Sequence, residues 1–168
     1  KIKSSIPELP DQRKKRYVEE YNLSNYDASV LTSDKSISDY FDDVIKSDKS
    51  LKKSSKIVVN WITSELFSLL KEGNIEIIDS PIKPTYLGKL VKLINQNIIS
   101  GKIAKEVLNE MYITQTDPGL IVDRKGLEQV TNTSEIENIV DEVLNENQKM
   151  VDQYLSGKDK LLGFFVGQ

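Results

Sequence analysis

Apolar residues return at spacings of three and four along nearly the whole chain, and few runs alternate as a strand would. That periodicity confines the sequence to packed helices. It is clearest from Lys49 to Glu72, where Val58, Trp61, Ile62, Leu66, Leu69 and Leu70 form one continuous stripe that Gly73 and Asn74 close. This segment is expected to be a long, regular helical spine. Before it, the residues following Pro10 read as a helix over Asp11 to Tyr21. Ser24 is placed to cap a short helix through Ala28, Val30 and Leu31, and Ser33 or Asp34 opens a third carrying Ile37, Tyr40, Phe41, Val44 and Ile45. Tyr17, Tyr21, Tyr26, Tyr40 and Phe41 fall on apolar faces and are expected to hold helices together. Trp61 sits in the stripe and reads as core rather than as a base-stacking ring.

Two prolines within Asp79-Ser-Pro81 and Lys83-Pro84 interrupt the pattern. Beyond them, helices are expected over Thr85 to Asn97, Ser100 to Tyr112, from Asp117-Pro118, over Ser134 to Asn145 and over Asn147 to Leu155. Leu161, Leu162, Phe164, Phe165 and Val166 are too apolar for an exposed tail, so this end should pack or continue. The predicted fold class is all-α: two small helical bundle domains joined by a hinge. Residues 1–10 would be a linker or the end of a preceding region, 11–75 the first domain, 76–84 the hinge and 85–168 the second domain. With 38% hydrophobic and 29% charged residues the chain can build such cores. No fixed-period repeat suggests a solenoid.

The chemistry available is narrow. Without cysteine there are no disulfides or thiolate metal sites, and a reducing, cytoplasmic setting is expected. Without histidine the commonest general base and transition-metal ligand are missing. No phosphate-binding glycine loop, nucleophile elbow or calcium-loop spacing is present. The acidic pairs Asp42-Asp43 and Asp141-Glu142 diverge on a helix and read as solvated surface acids. Apolar runs such as Ile57-Val58-Val59 are far too short to cross a membrane.

Net charge is −3, distributed unevenly: residues 1–98 carry 16 Lys+Arg against 14 Asp+Glu, and residues 99–168 carry 7 against 12. Binding to a polyanion must therefore be local. One candidate is the series Lys49, Lys52, Lys53 and Lys56, with Lys46 before it, whose helical offsets place four ammonium groups along one stripe, either to follow phosphates or to solvate the face. The other is Ser100-Gly101-Lys102 with Lys105, joined by Lys158 and Lys160. A serine-capped helix start with a nearby cation can hold an anion, or is simply a capped helix in an acidic domain.

Several strings carry more than chemistry. Leu9-Pro-Asp-Gln-Arg-Lys-Lys-Arg-Tyr17, Val30-Leu-Thr-Ser33, Asn60-Trp61, Ser100-Gly-Lys-Ile-Ala-Lys-Glu-Val107, and Gly157-Lys158 with Gly163-Phe-Phe-Val-Gly-Gln168 resemble, in that order, the second half of the B subunit of the aspartyl/glutamyl-tRNA(Asn/Gln) amidotransferases, the GatB/YqeY family. The resemblance spans essentially the whole chain. It implies a helical domain followed by a YqeY-like tail domain, both engaged with the body of tRNA(Gln) or tRNA(Asn).

In the parent complex, a carbon-nitrogen ligase, a separate N-terminal cradle would hold ATP and magnesium, so no cofactor and no catalytic residue is expected here. The amidase subunit and the small third subunit of the complex would meet mainly that cradle. Ser100-Gly101-Lys102 with Ala104-Lys105, and Gly157-Lys158, match tail motifs; the Lys49, Lys52, Lys53 and Lys56 stripe matches none. The family's chain runs on past Gln168, and Lys1 is not an initiator methionine, so a portion of a longer chain is expected. A rival expectation is a scaffold that docks another protein of the complex through apolar surface.

Overall fold

The computed structural model describes residues 8–128 and 133–168, with side chains from 139 onward in the second stretch. Among the described residues all regular structure is helical. Among these residues no helix is long and apolar enough to cross a membrane. Two compact units divide at Glu128 and Gln129.

The first unit begins with α1 (Pro10–Tyr21), α2 (Asn25–Leu31) and α3 (Lys35–Ser47). Ser24 accepts from the Asp27 amide at 3.0 Å, and Asp34 accepts from the Ser36 amide at 2.6 Å, so both expected caps form. Tyr17, Phe41 and Tyr21 then stack edge to face, with Tyr17 and Phe41 fully buried. Tyr26 departs from expectation: it is 77% exposed, because its position next to the Ser24 cap turns it off the face that buries Ala28 and Leu31.

The expected spine is a compound rod. Lys49–Ser54 is a 3-10 helix, Ser55–Asn60 is α4, Trp61–Leu66 is a π-helical turn, and Phe67–Glu72 is α5. The cause lies in the spacing of the buried residues. Val58, Ile62, Leu66 and Leu70 recur strictly every fourth position and are all buried. In a straight α-helix each such step overshoots a full turn by about 40°. A wider turn advances less per residue and returns the stripe to the core. Trp61 is 8% exposed, as a core residue should be.

The 76–84 segment is tied into the same core. A short 3-10 turn, Ile77–Asp79, buries Ile77, while Ile82 is 1% exposed. Tyr40 of α3 donates its hydroxyl to the Ile82 carbonyl at 2.9 Å. Helix α6 (Pro84–Asn95) then packs along α3, where Gly88 lies so close to Ser47 that a Cβ there would collide with the serine hydroxyl. The hinge expected at 76–84 is not confirmed: the segment lies within the first unit, and the α3–α6 contact continues the core across it. Helices α7 (Gly101–Thr114) and α8 (Pro118–Lys125) close the unit against α6.

The second unit comprises α9 (Thr133–Glu146), α10 (Gln148–Leu155), a 3-10 turn at Asp159–Leu161 and α11 (Leu162–Gly167). Tyr154 meets Phe165, and Phe165 meets Phe164, edge to face. The packing expected of this end is incomplete: Leu155 is 76% and Val166 82% exposed.

Candidate functional site

The Ser100 motif is built by the turn that leaves α6. Asn97 takes a left-handed backbone (φ 56) and Ile99, 1% exposed, anchors the chain. Ser100 is thereby held extended, and its hydroxyl accepts from the Ile103 amide at 3.2 Å. The other first-turn amides of α7 lack partners within the helix, and a helix start favours negative charge. Gly101 needs no special backbone angle, and a Cβ added there meets nothing within 4 Å. The fold itself therefore gives no reason for glycine at this position.

Lys102 is exposed beside that helix start and has no ion pair among the described residues. Lys105, one turn on, reaches Glu65 of the π-turn at 2.9 Å. It fastens α7 to the rod while its side chain stays 58% exposed. The structure thus brings Ser100, Gly101, Lys102 and Lys105 together and separates the two lysines by task.

The four lysines of the rod do not form one free stripe. The 3-10 winding of residues 49–54 turns Lys52 toward α1, where it pairs with Glu20 at 3.2 Å and lies 5.4 Å over the Tyr21 ring. Lys56 pairs with Asp27 at 2.7 Å. Burial works against the Asp27 charge, yet the Lys56 ammonium and the Ser24 hydroxyl hold its carboxyl below the usual range. Lys49 and Lys53 remain exposed. Nearby, Lys92 of α6 bonds Asp48 at 2.7 Å and pulls that carboxyl far below its ordinary value, while Lys46 pairs with Asp43 at 3.2 Å.

Lys158 and Lys160 belong to the second unit. Gly157 takes φ +102, which ends α10 and presents Lys158, whose ammonium donates to Gln153 at 3.2 Å. Lys160 lies exposed on the following 3-10 turn.

A family profile described as GatB domain matches residues 39–168. The chain belongs to the GatB domain family. Among relatives of this GatB domain, the aspartyl/glutamyl-tRNA(Asn/Gln) amidotransferase B subunit of Alkalilimnicola ehrlichii is 44% identical over 167 residues, covering 99% of this chain and 34% of the relative. Proteins of the same name from Wolbachia pipientis wMel and Carboxydothermus hydrogenoformans are 46% and 45% identical, with the same coverage. The chain spans about a third of the length of these curated relatives.

Sequence reasoning missed one cluster that straddles the start of the GatB domain match. Asp42, expected as a solvated acid, has a side chain only 5% exposed. It accepts Arg16 through both carboxylate oxygens, at 3.2 and 2.9 Å, and lies 2.9 Å from Arg13. Glu8 completes the network at 2.7 Å from Arg16 and is held below the usual carboxylate range by its hydrogen bond to that guanidinium. The available signal was the pair of arginines three residues apart on α1, which shares a face with the fully buried Tyr17 and so points toward α3.

Proposed function

We propose that this chain is the tRNA-holding region of a GatB-type protein. Its work would be to grip folded tRNA(Gln) or tRNA(Asn), so that a mischarged acceptor end reaches a transamidation site elsewhere in the complex. The observation that supports this best is the Ser100-capped start of α7. There Ser100 caps the Ile103 amide, a Cβ on Gly101 would meet nothing within 4 Å, and Lys102 has no ion pair among the described residues, an arrangement suited to a phosphate in a chain whose relatives are named for tRNA. Lys158 and Lys160 are the basic contacts of the second unit, and Lys49 and Lys53 are the rod residues still available to phosphate. In this reading the chain supplies positioning and no catalytic group. ATP and magnesium are held by another part of the same protein, and the amidase and small subunits of the complex assemble mainly there.

The test is binding of the chain to tRNA(Gln) and tRNA(Asn) transcripts over a salt series, beside a Lys102→Ala, Lys105→Ala, Lys158→Ala triple variant. Saturable binding that weakens steeply with salt and is lost in the variant is the expected result. Absence of binding at low salt overturns the reading. It would favour a scaffold that docks another protein of the complex through the exposed Leu155, Leu162 and Val166, whose association salt would barely affect.

A further inference from the structure

An exposed aromatic ring and several hydrogen-bonding side chains border a groove beside the Lys56–Asp27 pair. Tyr26 forms one wall from α2, and Lys56, Asn60, Thr63 and Ser64 form another from the rod, around a volume of about 520 Å³. That volume falls within the range of small-ligand sites. Tyr26 is 77% exposed, a poor use of a large amphipathic ring in a domain that otherwise buries its aromatics on α1 and α3.

The other groups differ in their commitments. The Thr63 hydroxyl donates to the Val59 carbonyl at 2.9 Å, and Lys56 is shared with Asp27. Asn60 and Ser64 are exposed and make no side-chain hydrogen bond among the described residues. Thr63 and Ser64 also sit on the π-turn, an irregularity that recurs at binding sites.

We infer that this groove receives one unstacked nucleoside of a folded RNA. The base stacks on Tyr26, and the Asn60 carboxamide and Ser64 hydroxyl bond its edge, while Lys56 stays paired with Asp27. A carboxamide offers donor and acceptor together, as a base edge requires, and sequence-tolerant stacking on an exposed ring is the usual way proteins hold splayed RNA bases. The polar lining disfavours an apolar protein anchor, which would need a dry pocket. The inference rests on the tRNA-holding reading above and adds base contact to what was there phosphate contact alone.

The experiment is fluorescence anisotropy with the full 168-residue chain and two probes: a tRNA(Gln) transcript and a labelled single-stranded hexa-adenylate. Tyr26→Ala, Tyr26→Trp and Asn60→Ala are compared with the parent, with thermal midpoints confirming the fold. Tyr26→Ala is expected to weaken both probes at least about fivefold, as loss of one stacked base implies, with an unchanged salt slope. Tyr26→Trp should retain binding and Asn60→Ala should weaken it.

Affinities of Tyr26→Ala within about twofold of the parent for both probes overturn the site. If the parent binds the transcript and Tyr26 is irrelevant, the nucleoside site fails and the tRNA-holding reading stands. If hexa-adenylate binds through Tyr26 while the transcript does not bind, the reading fails and the site stands. Binding of neither probe overturns both.

Discussion

The Lys56 ammonium lies 2.7 Å from a carboxylate oxygen of Asp27, whose side chain is only 9% exposed. The pair fastens α2 to the rod, and its energy depends on the lysine, because burial alone would push the Asp27 carboxyl upward. Lys56→Met should cost about 1 kcal/mol at neutral pH in urea unfolding, discounted because the lysine is largely solvated.

The same pair sets an acid limit. The native Asp27 carboxyl is held below its ordinary value of 3.8, so its contribution is fully present above about pH 4 and is lost as pH falls toward the lowered native value. An acid titration followed by circular dichroism should show Lys56→Met unfolding at higher pH than the parent. Coincident curves would refute a stabilising role for the pair.

Arg16 and Asp42 offer a stronger test. Arg16→Ala leaves a buried carboxylate with Arg13 as its remaining cation, and should lower stability by about 2–3 kcal/mol. Arg16→Lys should recover only part of the loss, because an ammonium cannot bond both oxygens as the guanidinium does. Equal thermal midpoints for the lysine variant and the parent would show that charge alone suffices.

Two glycines should respond in opposite ways. Gly88→Ala drives a methyl into Ser47 at the α3–α6 crossing and should cost about 1–3 kcal/mol. Gly101→Ala enters open space on a helix and should be neutral or stabilising by up to about 1 kcal/mol. If the α7 start holds a phosphate at close range, Gly101→Ala should nevertheless weaken tRNA binding, so stability and affinity measured on one preparation separate the two roles.

Lys102 and Lys105 can be ranked. Lys105 already shares its charge with Glu65 at 2.9 Å, whereas Lys102 has no ion pair among the described residues. Lys102→Ala should reduce the slope of log affinity against log salt by nearly one, and Lys105→Ala by less. The reverse order would place the phosphate on the Glu65 side of α7.

Element positions and caps were largely legible in the sequence because they depend on local chemistry. The cap hydroxyls and carboxylates at Ser24, Asp34, Ser100 and Asp117 act within three residues of themselves. What was not legible depended on the third dimension. Whether Lys52 and Lys56 face solvent or an acid is decided by α1 and α2, which lie 32 and 29 residues away in the chain. The 76–84 segment looked like a hinge because its prolines mark turns, but prolines do not say whether a buried Tyr40 will hold the turn in place. Asp42 read as surface because nothing near it in sequence reveals two arginines waiting on α1.

The π-turn also gives the rod slack in its reading frame. A wide turn stores one more residue than an α-turn of the same angular sweep, so removing a single residue from 61–66 would let the helix tighten while Leu66 and Leu70 stay in phase with the core. The same deletion anywhere in α6 or α7 would rotate everything after it by about 100° and turn the apolar face outward. The rod is therefore where this fold can absorb a one-residue length change without rewriting its core, and the wall of the Tyr26 groove is the part that such a change would erase.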